Sequence, residues 1–309
     1  MQQAHDLPLD AWAIADFATR LEVAKCADPE VWNLLQVKHV KAGFIFNPTR
    51  VFLAKTADLK VQLTPDFRKD LENCIDTSLL SKKRLARLLR SYAFNNPSDS
   101  FLSKQCPKLD DQRLFRLPEV LPNLYVIFWK VGTSSIKSQL EAYISRPSLE
   151  ANAQLVIYLY AVKLGDSSKL GLLDKFEGRV KELNDGLITD FGKMVLTTGN
   201  FAKYREAWLK AVPTIIPRCR HDTLMPLLRT YKEFTPELDP AVHSAALALF
   251  QKWTKQQELH ELVLYAKEVK GVSEKLAREM AEMLGALIRE LPETEQEVLS
   301  LLLEDLRVS

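Results

Sequence analysis

The residues suited to metal binding or acid–base catalysis are few and scattered along this 309-residue chain. The pair His260-Glu261 could open the helical zinc motif of a metalloprotease. That motif needs a second histidine one helical turn further on, where this sequence has Leu264. The five histidines of the chain are His5, His39, His221, His243 and His260. The sequence therefore predicts no metal site.

Motifs for nucleophilic catalysis and for phosphate-binding loops are also missing from the sequence. The four cysteines have no paired spacing of the kind that zinc sites and small disulfide scaffolds use, so we expect free or buried thiols. They are Cys26, Cys74, Cys106 and Cys219. No G-x-S-x-G elbow, Walker loop or G-x-G-x-x-G fingerprint occurs in the sequence. We therefore expect no enzyme, no cofactor and no small-molecule substrate.

The basic residues suggest a different chemistry. Residues 36–137 carry 18 Lys or Arg against 9 Asp or Glu, a net of +9, whereas residues 273–309 carry 4 against 9, a net of −5. In the segment SKKRLARLLR the cations recur every three or four residues and so share a helical face. Such a stripe binds a phosphate backbone or an acidic protein surface, or is simply a solvated face. The candidate residues for binding RNA or an acidic partner are Lys82, Lys83, Arg84, Arg87, Arg90, Arg113 and Arg116.

Aromatic residues could form a platform on which bases stack. They lie inside apolar runs at helical spacing, so core packing is the better interpretation for most of them. We expect Tyr160 in particular to lie in the core between repeats. The candidates are Phe128, Trp129, Tyr158, Tyr160, Trp208 and Trp253.

A degenerate repeat organises these residues. LLRSYAFNNPSDSFLSK from Leu88, LVIYLYAVKLGDSSKLGLL from Leu155 and LVLYAKEVKGVSEKLAREM from Leu262 share a Leu-rich turn, a Tyr-Ala pair, a small polar break and a second amphipathic segment. Eight equivalent anchor positions are spaced by about 35 residues, as expected of helical hairpins. They are Phe17, Leu53, Tyr92, Phe128, Tyr160, Met194, Tyr231 and Tyr265.

The predicted fold is therefore all-α, a right-handed α-solenoid of about eight helix-turn-helix repeats. We expect one repeat array over residues 1–291 and an acidic, amphipathic capping helix over residues 292–309. Short breaks at Asn95, Gly132, Gly165, Gly199 and Gly271 separate the paired helices, with Gly, Ser, Asp or Asn ending one helix or capping the next.

These repeats resemble the helical repeats of the octotricopeptide and heptatricopeptide type, found also in proteins similar to the FAST kinases. The resemblance runs from about residue 10 to about residue 291. It implies a role in RNA stability, RNA processing or translation in mitochondria or plastids, where some members are built into ribosomes. Many relatives end in a mixed α/β RAP domain, but this tail is helical in pattern, and the repeats show no regular base-reading code.

By this resemblance we expect a non-enzymatic scaffold of an organellar gene-expression assembly, in the mitochondrial matrix or another organelle. It would bind other proteins of a large complex, and RNA through its basic N-terminal half. The alternative is a purely structural accessory subunit of a respiratory or ATP synthase complex, or a cytosolic adaptor. No apolar run is long enough to predict membrane insertion, and no presequence is visible because three acids precede the first arginine.

Overall fold

The computed structural model describes residues 10–307, which form seventeen α-helices, several short 3₁₀ helices and, within that range, no β-strand. This confirms the all-α prediction. The chain divides into two compact units, unit 1 (Met1–Gly171) and unit 2 (Leu172–Ser309). A 3₁₀ helix, Ser167–Leu173, spans the boundary between them. The extent of the repeat array, residues 1–291, stays a prediction.

The described part of unit 1, residues 10–171, contains ten α-helices. They are α1 (Ala11–Val23), α2 (Pro29–Ala42), α3 (Phe46–Asp58), α4 (Pro65–Thr77), α5 (Lys82–Ala93), α6 (Asp99–Leu109), α7 (Gln112–Phe115), α8 (Leu121–Val131), α9 (Ser134–Ile144) and α10 (Ala151–Leu164). The main row of contacts runs from α1 to α3, α5, α8 and α10, while α2 packs on α4 and α6 packs on α8. Helices that alternate along the chain are therefore neighbours in space.

Residues 172–307 of unit 2 contain seven α-helices. They are α11 (Asp185–Thr197), α12 (Arg205–Ile215), α13 (His221–Lys232), α14 (Pro240–Trp253), α15 (Leu259–Lys270), α16 (Glu274–Ile288) and α17 (Glu293–Arg307). Here α11 packs on α13, α12 on α14, and α14 on α16. Shorter 3₁₀ helices lie at Glu177–Glu182, Gly199–Tyr204 and Ile216–Arg218.

The eight anchor positions all lie inside helices, and five of them are buried. The buried five are Leu53, Tyr92, Phe128, Tyr231 and Tyr265. Met194 and Tyr160 are half-buried. In the first repeat the anchor position is misplaced on the helix. Phe17 is 45% exposed, because α1 turns Ile14 and Ala18 toward the core instead.

The expected breaks coincide with helix ends, and most use the expected capping chemistry. The hydroxyls of Ser98, Thr133 and Ser273 accept hydrogen bonds from the backbone N–H groups of the helices that follow them, which satisfies donors that a helix leaves free. Gly165 ends α10 with φ +73°, a left-handed conformation that glycine adopts without steric penalty.

The last helix within residues 10–307, α17, carries Glu293 and Glu295 in its first turn. α17 packs on α15 and α16 and buries Leu299 and Leu303, while Val298 and Leu301 face outward. None of the helices within residues 10–307 has the length and apolar character needed to cross a membrane.

Candidate nucleic-acid interface

The seven basic residues singled out by the sequence all lie in unit 1. Five of them line α5, Arg113 lies in α7, and Arg116 directly follows it. The hydroxyl of Ser81 accepts a hydrogen bond from the backbone N–H of Arg84 and starts α5. The apolar side of α5 is buried through residues that include Leu85 and Leu89, which turns its basic side outward.

Three of the seven are already paired with carboxylates. Lys82 Nζ lies 2.8 Å from Asp111, Lys83 Nζ lies 3.0 Å from Glu119, and Arg113 Nε lies 3.9 Å from Asp111. The hydrogen bond from Lys82 lowers the pKa of Asp111 below its ordinary value. Because all three cations have a partner, they are the weaker candidates for binding an external anion.

Arg84 and Arg87 are exposed on α5, and no carboxylate within the described part of the chain comes within 4.0 Å of either guanidinium. Arg84 Cζ lies 5.7 Å from the ring centroid of Phe46, at the start of α3. This places a cation against an aromatic face, a combination that also suits an unstacked base. We call these two the open arginines of the predicted stripe, because they are exposed and have no carboxylate partner within the described residues.

Arg90, one turn further along α5, is half-buried and reaches α10. Its Cζ lies 5.3 Å from the ring centroid of Tyr160, which in turn packs 5.5 Å from the ring of Phe94. The expectation that Tyr160 lies in the core is therefore only partly right. Ile157 and Ala161 take the buried positions of α10, and Tyr160 turns toward Arg90.

The structure adds Arg50 of α3, which the sequence analysis missed. Burial, together with the positive charges of Arg90 and Arg87, lowers the pKa of the Arg50 guanidinium. Spacing along the chain gives no signal for this meeting, because α3 and α5 come together only in the folded chain. Within residues 10–307, Arg50 also has no carboxylate within 4.0 Å.

Arg116 and Arg146 lie together in unit 1, apart from the stripe on α5. Arg116 lines a cavity of about 140 Å³ together with Arg146 and Glu150. Arg146 Cζ lies 3.7 Å above the ring of Tyr143, whose other neighbour is the stacked ring of Phe115 at 5.6 Å. Arg146 and Tyr143 were not predicted, because a single arginine in a loop has no pattern.

The aromatic residues considered as a stacking platform divide into two groups. Phe128, Trp208 and Trp253 are buried, as core packing predicts. Trp129 is 37% exposed, and Tyr158 and Tyr160 are half-buried. Core packing is therefore confirmed for three of the six.

Groups with catalytic potential elsewhere are buried or dispersed. Burial raises the pKa of the Cys106 thiol to about 11 and that of Cys219 to about 12, so both are protonated near neutral pH. Within residues 10–307, no group of three or more His, Cys, Asp or Glu side chains is placed to hold a metal ion.

Comparison of the chain with known protein families, with curated proteins and with solved structures finds no match.

Proposed function

We propose that this chain is a non-enzymatic helical-repeat scaffold of an organellar gene-expression assembly, associated with a ribosome or with RNA processing. In this proposal unit 1 binds RNA through α5, and other surfaces of the chain bind proteins of the same assembly. The organellar setting comes from the resemblance of the repeats to the octotricopeptide type. The positive charges of unit 1 support RNA binding.

The open arginines of α5 carry this proposal. Arg84 and Arg87 are exposed without a carboxylate within 4.0 Å, whereas neighbouring Lys82 and Lys83 are each held by an acid. An exposed cation that forms no ion pair within the protein is available to bind a phosphate backbone and displace its counterions. RNA binding of this kind is strongly dependent on salt concentration.

A stacked-hairpin architecture fits the same function. In unit 1 each helix of the main row packs on the next member of that row, which is the order that successive helical hairpins produce. We infer a right-handed solenoid of about eight such hairpins, with α17 as its terminal cap. Solenoids present extended surfaces along which a nucleic acid or a protein segment can bind.

Charge reversal on α5 tests the RNA surface. We expect Arg84→Glu combined with Arg87→Glu to weaken binding of a short fluorescein-labelled single-stranded RNA by at least roughly tenfold, since two phosphate contacts become repulsive. The slope of log affinity against log salt should fall by about 1.4, at roughly 0.7 for each lost contact with a single strand. Fluorescence anisotropy across a salt series measures both quantities.

The matched control reverses two exposed cations elsewhere in unit 1, Arg20→Glu and Lys69→Glu, which changes the net charge equally. An equal loss of affinity in the control would mean that net charge alone drives binding, and would refute α5 as the surface. Purification of the tagged protein from its native source, with and without ribonuclease, tests the assembly. Ribosomal or RNA-processing proteins shed by nuclease support the proposal; a nuclease-resistant set of membrane-complex subunits contradicts it.

A further inference from the structure

Three arginines of unit 1 form a group that we call the arginine cluster: Arg50 of α3 with Arg87 and Arg90 of α5. α3 packs directly on α5, which brings Arg50 to the side of α5 that carries Arg87 and Arg90. Burial, followed by the positive charges of Arg90 and Arg87, lowers the pKa of Arg50. Tyr160 of α10 closes one side, with its ring centroid 5.3 Å from Arg90 Cζ. The cluster is thus assembled from three helices that are distant in sequence.

The cluster has an excess of positive charge. Two acids of unit 1 are paired with lysines: Glu119 accepts a hydrogen bond from Lys83 at 3.0 Å, and Asp58, the last residue of α3, accepts one from Lys163 at 2.7 Å. A backbone hydrogen bond, the bond from Lys83 and the positive charge of Arg87 together lower the pKa of Glu119. Even so, no carboxylate in the described part of the chain lies within 4.0 Å of the three guanidinium groups.

Such an arrangement is unfavourable in the absence of an anion. Like charges that are partly buried repel one another more strongly than they do in water. In addition, Arg90 Nε is buried and has no hydrogen-bond partner within residues 10–307, although a guanidinium offers five donors. A buried donor without an acceptor is destabilising, and a bound anion would satisfy it.

We propose that the arginine cluster is a binding site for a phosphate group, held by Arg50 and Arg87 and by Arg90, which Tyr160 keeps in place. Guanidinium groups match the geometry of phosphate oxygens, and charge-assisted hydrogen bonds of this kind are the strong ones. Three positive charges exceed what one carboxylate neutralises, whereas inorganic phosphate or a phosphate monoester offers three or more free oxygens and up to two charges. Phosphate is therefore favoured over an acidic side chain.

The phosphate belongs either to an RNA strand or to a free phosphate compound. The first source rests on the proposed function and deepens it, since it places one backbone phosphate between α3 and α5. The second source goes beyond it. In both cases the guanidinium groups donate hydrogen bonds to phosphate oxygens, but a backbone phosphodiester carries one charge and a free phosphate compound carries up to two.

The first test uses inorganic phosphate and the full chain. We expect phosphate, added at constant ionic strength against sodium chloride, to raise the midpoint of thermal unfolding, because a ligand that binds only the folded state stabilises it. In Arg50→Gln the apparent dissociation constant should rise by at least roughly tenfold, and Arg50→Lys should fall between the two proteins. Without phosphate, Arg50→Gln should unfold at the same or a higher temperature than wild type, because it removes a repelling charge.

The control is Arg20→Gln, at an exposed arginine of α1. Phosphate also stabilises proteins in general through its exclusion from their surfaces, and that effect must be equal in all variants. Equal stabilisation of wild type and Arg50→Gln would overturn the proposal. Equal stabilisation of wild type by acetate would overturn the preference for phosphate.

The second test identifies the source. If Arg50→Gln weakens binding of single-stranded RNA more than Arg20→Gln does, and phosphate competes with that RNA, the phosphate is that of a strand. If only the response to inorganic phosphate depends on Arg50, the site takes a free phosphate compound. If wild type binds no RNA, the proposed function fails, and the response to inorganic phosphate still decides whether the cluster is a phosphate site.

Discussion

His39 of α2 is a fully buried histidine surrounded by three phenylalanine rings. Its ring centroid lies 4.9 Å from that of Phe52, 5.5 Å from Phe44 and 5.8 Å from Phe67. Neither ring nitrogen has a hydrogen-bond partner within the described chain, and burial lowers the pKa of His39 below its ordinary value of 6.5. The imidazole is therefore neutral in the folded protein and behaves as a small aromatic core residue.

This burial predicts a loss of stability in acid. Below pH 6.5 the unfolded chain protonates His39 while the folded chain does not, until the pH reaches the lower folded pKa. Over that window this single group lowers the free energy of unfolding by up to about 1.4 kcal/mol per pH unit; above pH 6.5 its contribution is constant. Urea unfolding of wild type and His39→Leu across the window measures the difference in slope.

The control for this prediction is His260→Leu, at an exposed histidine of α15. His39→Leu should flatten the pH dependence of stability, and by more than the same substitution at this exposed position does. If His39→Leu retains the full acid sensitivity, the buried imidazole is not its cause, and other groups must bind the protons.

At the scale of helices, Asn95 shows how a break between two helices also joins a third. Its side-chain amide donates hydrogen bonds to the carbonyl oxygens of Leu53 at 2.7 Å and Ser91 at 2.9 Å, and its Oδ1 accepts one from the Thr56 hydroxyl at 2.7 Å. All three bonds are buried. They tie the end of α5 to α3, the two helices that bring the arginine cluster together.

Removal of this amide should loosen that junction. We expect Asn95→Ala to lower the free energy of unfolding by roughly 1–3 kcal/mol, because it removes three buried hydrogen bonds, of which only those of Leu53 and Thr56 can be replaced in part by the bond between these two residues. Asn73→Ala, at an exposed asparagine of α4, is the matched control and should change it by less than roughly 0.5 kcal/mol. Chemical denaturation checks both, and near-equal values would mean that water replaces the amide.

The junction also shows what the sequence could and could not predict. The pattern Asn95-Asn96-Pro97-Ser98 predicts a break because its turn and capping residues act locally, and the break lies where it was expected. The meeting of Arg50 with Arg87 and Arg90 depends on the tertiary packing of α3 against α5, which no local pattern encodes. The repeat anchored at Tyr160 also differs from the prediction. Its expected second helix is replaced by 3₁₀ helices at Ser167–Leu173 and Glu177–Glu182.

Across the whole chain, the distribution of charge separates the region expected to contact a polyanion from the region expected to avoid one. Residues 36–137, within unit 1, have a net charge of +9, and residues 273–309, within unit 2, have a net charge of −5. A polyanion is attracted by the first and repelled by the second, and salt screens both effects over about 10 Å at roughly 0.1 M. The net charge of +2 for the entire chain conceals this polarity.

Hydrogen exchange of the full chain with single-stranded RNA tests this polarity directly. We expect RNA at low salt to slow amide exchange in α3 and α5, because bound phosphate oxygens restrain the arginines of both helices and stabilise their packing. Exchange in α16 and α17 should not change, since their acidic surface repels the strand. Raising the salt from roughly 50 to 200 mM should remove the protection of α3 and α5 as counterion release becomes less favourable. Protection of α16 and α17, or protection of α3 and α5 that persists at the higher salt, would mean that contacts other than the open arginines hold the RNA.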